Sequence, residues 1–130
     1  PILEQYDVDL VLTGHSHVYE RSLLTHKHYG YSDTFNAAEH VVQNDLHDYK
    51  KCDEKVPFGG AVYNVAGSSS SNQSGINEFT IKHPMMPFSY FTDGSLLLTV
   101  EKREMQVEFV MRNGEVLDSY TIVKDERFCQ

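Results

Sequence analysis

Hydrophobic and polar positions divide this chain into blocks. Val8-Asp9-Leu10-Val11-Leu12 is short, apolar and rich in β-branched residues, which predicts a buried strand over residues 8–13 rather than a helix. Pro1 to Tyr6 reads as the end of a helix entering that strand. Residues 14–60 are polar and show little periodicity. They predict a long insertion with a small hairpin around Gly30 and a short helix near Ala37–Val42. An irregular segment of this length in a compact domain usually has a functional or packing reason. A second buried strand is expected over 61–66, and Gly67 to Gly75 (Gly-Ser-Ser-Ser-Ser-Asn-Gln-Ser-Gly) reads as a flexible loop.

From about Ser89 the pattern becomes strands separated by turns. One strand is expected over 95–101 and another over 106–112. In the second, Val107, Phe109 and Met111 share one face, and Glu108, Val110 and Arg112 share the other. Asn113-Gly114 predicts a two-residue hairpin closed by a strand over 116–123, and Asp93-Gly94 a further tight turn. The chain thus ends in an antiparallel meander. Met85, Met86, Pro87 and Phe88 form an apolar patch expected to pack against the sheet.

Composition narrows the class. With 40% apolar and 23% charged residues, the 130 residues fit one globular domain. A domain near this size buries roughly 65–70% of the surface of its unfolded chain, enough for a core. No run approaches the ~20 apolar residues of a membrane span. The formal charge of -8, with no basic patch, argues against nucleic-acid binding. The two cysteines, Cys52 and Cys129, match no zinc spacing, and two free thiols is the favoured expectation over a bridge between them.

The candidate chemistry lies in Gly14-His15-Ser16-His17-Val18-Tyr19-Glu20-Arg21. Two imidazoles two residues apart follow a predicted strand and a glycine. In an extended chain, side chains at i and i+2 point the same way with Cα atoms roughly 6.5–7 Å apart. That suits rings reaching toward one metal, or toward two metals about 3.5–4 Å apart. Gly14 permits an unusual dihedral that could aim both rings. Ligands of α/β sheets collect where strands end at their carboxyl edges. Against this stands the ordinary alternative of two polar loop histidines.

This run resembles the G-H-x-H-x-Y-E-R signature of purple-acid-phosphatase-like metallophosphoesterases, in the calcineurin-like phosphoesterase superfamily. Ala61 to Ser69 resembles the family's strand ending in a small-residue turn, and Gly94 to Val100 with the hairpin beyond it resembles the family's C-terminal strands. The resemblance implies an α/β fold, α+β-like over this piece: the C-terminal part of a metallophosphoesterase β-sandwich flanked by helices. It implies that His15 and His17 each ligate one of two metal ions, iron with zinc or manganese. Tyr19, Glu20 and Arg21 would support the ligands from behind, with Glu20 taking the second N–H of a ligating imidazole; a local Glu20–Arg21 surface charge pair is the plain alternative.

The family's other motifs, among them Gly-Asp and Gly-Asn-His, do not occur here and lie upstream of the histidine motif in the family. Residues 1–130 are therefore expected to be a single-domain C-terminal portion of a longer catalytic domain. Its partners would be the rest of that domain and a phosphate-ester substrate. The catalytic groups would lie upstream, and this piece alone would be inactive, because hard metal ions also need carboxylates. Relatives with this signature are often exported, which implies an extracellular or periplasmic location. Two rivals remain: a non-catalytic secreted β-rich binding module with incidental histidines, and a segment that only completes a sheet.

Weaker candidates complete the survey. The Ser-rich loop lacks the Gly-Lys-Ser/Thr ending of a phosphate-binding loop, so a plain loop is expected. Asn72-Gln73-Ser74 matches a glycosylation acceptor. His26 and His28, followed by Tyr29 and Tyr31, could line a substrate mouth, although exposed loop histidines are the plainer expectation. His40, His47 and His83 look solitary.

Overall fold

The computed structural model describes residues 1–69 and 83–129. One helical turn, α1 (Ile2–Gln5), leads into β1 (Leu10–Thr13), followed by β2 (Tyr19–Arg21) and β3 (Leu24–Thr25). A 3₁₀ turn over Ser32–Thr34 precedes α2 (Ala37–His40), whose first turn is capped by Asn36 Oδ1 accepting from Ala38 N–H. Then come β4 (Val41–Gln43), β5 (Asp48–Lys51), β6 (Val62–Ala66), β7 (Phe88–Tyr90), β8 (Gly94–Glu101), β9 (Glu104–Met111) and β10 (Val116–Lys124).

Two four-stranded sheets carry the architecture, one in the order β1-β6-β2-β7 and the other β5-β10-β9-β8. Each pairs a parallel couple with antiparallel neighbours. β1 runs parallel to β6, and β5 parallel to β10. Alternation explains the inward face of β10, where Asp118, Tyr120 and Ile122 are buried. Leu24 of the small β3-β4 sheet joins Tyr49, Val62, Val107, Tyr120 and Ile122 from the two larger sheets in one core, with Leu10, Leu96 and Met105 packed against it. The molecule is a β-sandwich piece ending in an antiparallel meander, as expected; among the described residues its α-helices are two single turns.

Several expectations need correction. The stretch 14–60 is mostly irregular and holds the expected short helix, α2, but it also supplies four short strands that its weak periodicity does not mark. Its strands are two to four residues long, too short for a period to register. β3 and β4 do pair antiparallel across Gly30, but their pairing begins well away from it, at Thr25 and Val41. At Asn113-Gly114 only Gly114 has positive φ, +87°, and its N–H bonds Met111 C=O. With the register shift between Val116 and Asp118, this is the longer bulged hairpin rather than the two-residue form. Asp93-Gly94 is no tight turn: Gly94 starts β8, where a Cβ would lie 2.5 Å from the Phe109 ring. The tight turn is Lys102-Arg103, with Lys102 at φ +55°.

The cysteines are not free thiols. Cys52 and Cys129 form a disulfide with Cα atoms 4.4 Å apart. The parallel pairing of β5 with β10, in register at Lys51 and Lys124, delivers both chain exits to one place. Asp125 N–H donates to Lys51 C=O there. A separation of 77 residues hides this from sequence. Within the Gly67–Gly75 loop, residues 70–75 lie outside the described residues, and with them Asn72-Gln73-Ser74.

Candidate functional site

The parallel pairing of β1 with β6 sets the site. The loop 14–18 leaves the carboxyl end of β1, and Gly67-Ser68-Ser69 leaves the same end of β6. The two loops touch backbone to backbone: a Cβ on Gly67 would lie 2.0 Å from Ser16 O and 3.2 Å from His15 N. Only glycine fits there. Gly67 N–H also donates to Val18 C=O at 3.2 Å.

His15 and His17 do not lie on an extended strand. Ser16 N–H bonds Gly14 C=O at 3.0 Å, and Val18 N–H bonds Ser16 C=O at 2.8 Å. Each histidine thus forms the apex of a three-residue turn, in two successive turns. His15, not Gly14, takes the unusual dihedral, φ +73°. Left-handed backbone costs a non-glycine residue roughly 1–2 kcal/mol, and such strain concentrates at functional sites. His15 is exposed and His17 half-buried.

As metal donors, the two imidazoles supply a partial set. They belong to no group of three close histidine, cysteine or carboxylate donors among the described residues. The one such group is Cys52, Asp53 and Cys129, and its two sulfurs are already joined to each other. Imidazole nitrogen suits metals such as zinc and iron, whereas manganese favours oxygen donors, so two imidazoles alone do not select a metal.

Behind the loop, β2 turns Tyr19 and Arg21 inward and leaves Glu20 on the other face. Arg21 is fully buried and pairs with Asp118 of the opposite sheet, not with Glu20. Its Nε donates to Asp118 Oδ2 at 2.6 Å and its Nη2 to Oδ1 at 2.9 Å. Nη1 donates to Tyr49 OH and Nη2 to Leu46 C=O. The guanidinium lies 3.6 Å from the Phe88 ring centre and 4.4 Å from that of Tyr120. Tyr19 OH donates to Asp118 Oδ2 at 2.6 Å, and Asn64 Nδ2 donates to the hydroxyls of Tyr19 and Tyr120. Burial opposes ionisation of Asp118, but the bonds from Arg21 and Tyr19 outweigh it and hold the carboxyl below its ordinary range. Burial, reinforced by Asp118, pushes the Tyr19 phenol far up, so it stays a donor; burial pushes Tyr49 up to about 12. Burial also raises Glu20, which accepts a hydrogen bond from Ser89.

The remaining histidines hold loops. The His26 ring nitrogens lie 2.9 Å from Phe58 O and 3.2 Å from Glu39 O. His47 Nδ1 donates to Ser119 C=O. His40 and His83 are not solitary: His40 packs on His28 and Phe35, and burial together with the charge of His28 lowers His83. His28 is half-buried against Phe35 and bonds Thr34, so it is no exposed loop residue. The sequence reading missed Asp118, Tyr49 and Asn64. The only local hint was an aspartate at an inward position of a strand that otherwise alternates cleanly.

No protein-family model matches the chain. Over 129 residues it is 30% identical to the protein named probable inactive purple acid phosphatase 1 from Arabidopsis thaliana. The alignment takes in 95% of this chain and 18% of that protein, so the chain spans under a fifth of the relative's length. The likeness is a distant one, to a short part of one purple acid phosphatase.

Proposed function

We propose that these 130 residues are the C-terminal portion of a metal-dependent phosphoesterase of the purple-acid-phosphatase type. His15 and His17 each give one ring nitrogen to a dinuclear centre. The observation that carries this reading is the double turn, strained at His15, that carries both histidines at the carboxyl end of β1 beside parallel β6, with Gly67 packed against its backbone. The likeness to a purple acid phosphatase supports it.

A bound pair of ions, iron with zinc or manganese, supplies an activated water and a clamp on the attacking and leaving oxygens of a phosphate ester. The chain's own task is narrower. Its turns fix where the two nitrogens point, and its acidic surface is compatible with an anionic substrate only where bound cations dominate the local field. Carboxylate ligands and the general acid come from outside these residues. Tyr19 and Arg21 stiffen the loop from behind, with Glu20 on the opposite face of the same strand. The disulfide fits an oxidising compartment, in keeping with export.

The test is replacement of both histidines, His15→Ala with His17→Ala, in the complete polypeptide. Metal content by elemental analysis and p-nitrophenyl phosphate hydrolysis are then compared with wild type. The reading predicts that both fall at least tenfold. Unchanged metal content overturns it. The name of the relative favours a second reading, in which the centre binds metal without turnover. Metal lost on double substitution, from a wild type that does not hydrolyse the probe, selects that reading.

A further inference from the structure

We infer that Asp118, on the opposite sheet and 97 residues from Arg21, is a positioning residue for the paired histidines: it sets the register of β2 and so the placement of the turns that carry His15 and His17. This rests on reading those histidines as metal ligands.

β2 is three residues long and begins directly after the loop. Its backbone pairs with β6 on one side and β7 on the other, but over three residues only. So short a strand has few ladder bonds to resist sliding. Its two inward side chains supply the missing restraint. Tyr19 and Arg21 converge on one carboxylate, whose Oδ2 accepts from both and whose Oδ1 accepts a second bond from Arg21. Charge-assisted bonds of this kind are short and directional. Asn64 extends the network to β6, three residues before Gly67. The clamp therefore grips the strand leaving the histidine loop and the strand whose next loop packs against it.

The composition of the clamp points the same way. A buried ion pair contributes little net stability compared with apolar residues of equal volume, and its best-attested benefit is fixing register. Arg21 and Asp118 are both buried, so the pair is a poor choice for stability alone.

That contrast gives the test. Arg21→Met with Asp118→Leu is made in the complete polypeptide. Thermal unfolding, Zn²⁺ affinity by calorimetry, and amide exchange at Val18 and Gly67 are measured. A register role predicts unfolding at or above the wild-type temperature, Zn²⁺ affinity lower by about 10- to 100-fold, and faster exchange at both amides. Recovered stability with unchanged affinity and exchange overturns the inference. Should the double variant fail to fold, Tyr19→Phe removes one of the three bonds alone. Weakened Zn²⁺ binding with little change in unfolding supports the role, and unchanged binding sinks it. A wild type that binds no Zn²⁺ refutes the ligand reading of His15 and His17 instead. Exchange at Val18 and Gly67 then decides the clamp alone: faster supports it, unchanged overturns it.

Discussion

Arg21 is the largest fully buried side chain among the described residues, and four hydrogen bonds hold it. Arg21→Ala strands Asp118 without its cation in a dry interior. Denaturant unfolding is expected to show a loss of about 3–5 kcal/mol, typical of breaking one side of a buried pair. His15 makes a different prediction. Its φ of +73° suits glycine, so His15→Gly is expected to be about 1 kcal/mol more stable than His15→Ala, with both lacking the ring. Equal stabilities would show that the turn carries no strain. At this scale the sequence is a good guide to local chemistry: the glycine, the paired imidazoles and the Tyr-Glu-Arg that follows stand together. It is a poor guide to partners. Nothing near Arg21 hints that its counter-ion comes 97 positions later, and the neighbouring Glu20, on the alternate face of the strand, invites the wrong pairing.

Among the elements, length decides what could be read. β9 and β10 run for eight and nine residues, long enough for alternation to mark an inward face. β2 to β5 run for two to four, so only their partners define them. The loop following β6 is the element on which the site turns. Gly67→Ala must displace the Ser16 backbone, because its Cβ would come within 2.0 Å of the carbonyl oxygen. Overpacking of this kind costs typically 1–3 kcal/mol. The variant is expected to lose metal affinity along with stability. Tight metal binding by Gly67→Ala would mean that the contact between the two loops does not shape the site.

At the scale of the whole molecule, one covalent link and a set of buried charges govern stability. The Cys52–Cys129 bridge closes a loop spanning 77 residues, worth about 4–5 kcal/mol in the chain-entropy account. Cys52→Ala with Cys129→Ala is expected to lower stability by up to that amount in denaturant titrations. Glu4, Asp7 and Asp118 are each held below their ordinary range, by hydrogen bonds and cations that outweigh burial. Their contribution is complete above about pH 4, where the unfolded carboxylates are ionised, and is lost as pH falls toward the depressed native values. Tyr19 and Tyr120 are raised, chiefly by burial, so their contribution holds below about pH 10 and is lost above it. Stability measured against pH should therefore fall below about pH 4 and above about pH 10. Between those limits the lowered His83 weakens the fold below about pH 6.5 and the raised Glu20 weakens it above about pH 4.5, and a maximum below pH 4 would contradict the assignment. None of these long-range links is legible in sequence, because each depends on which strand lies beside which.

The most direct measurement is X-ray absorption at the metal edge of the purified complete polypeptide, wild type beside the His15→Ala, His17→Ala variant. The account predicts bound iron, zinc or manganese with imidazole scattering in the wild type, and loss of that scattering together with most of the metal in the variant. Metal retained in the variant with its imidazole signal intact would contradict it.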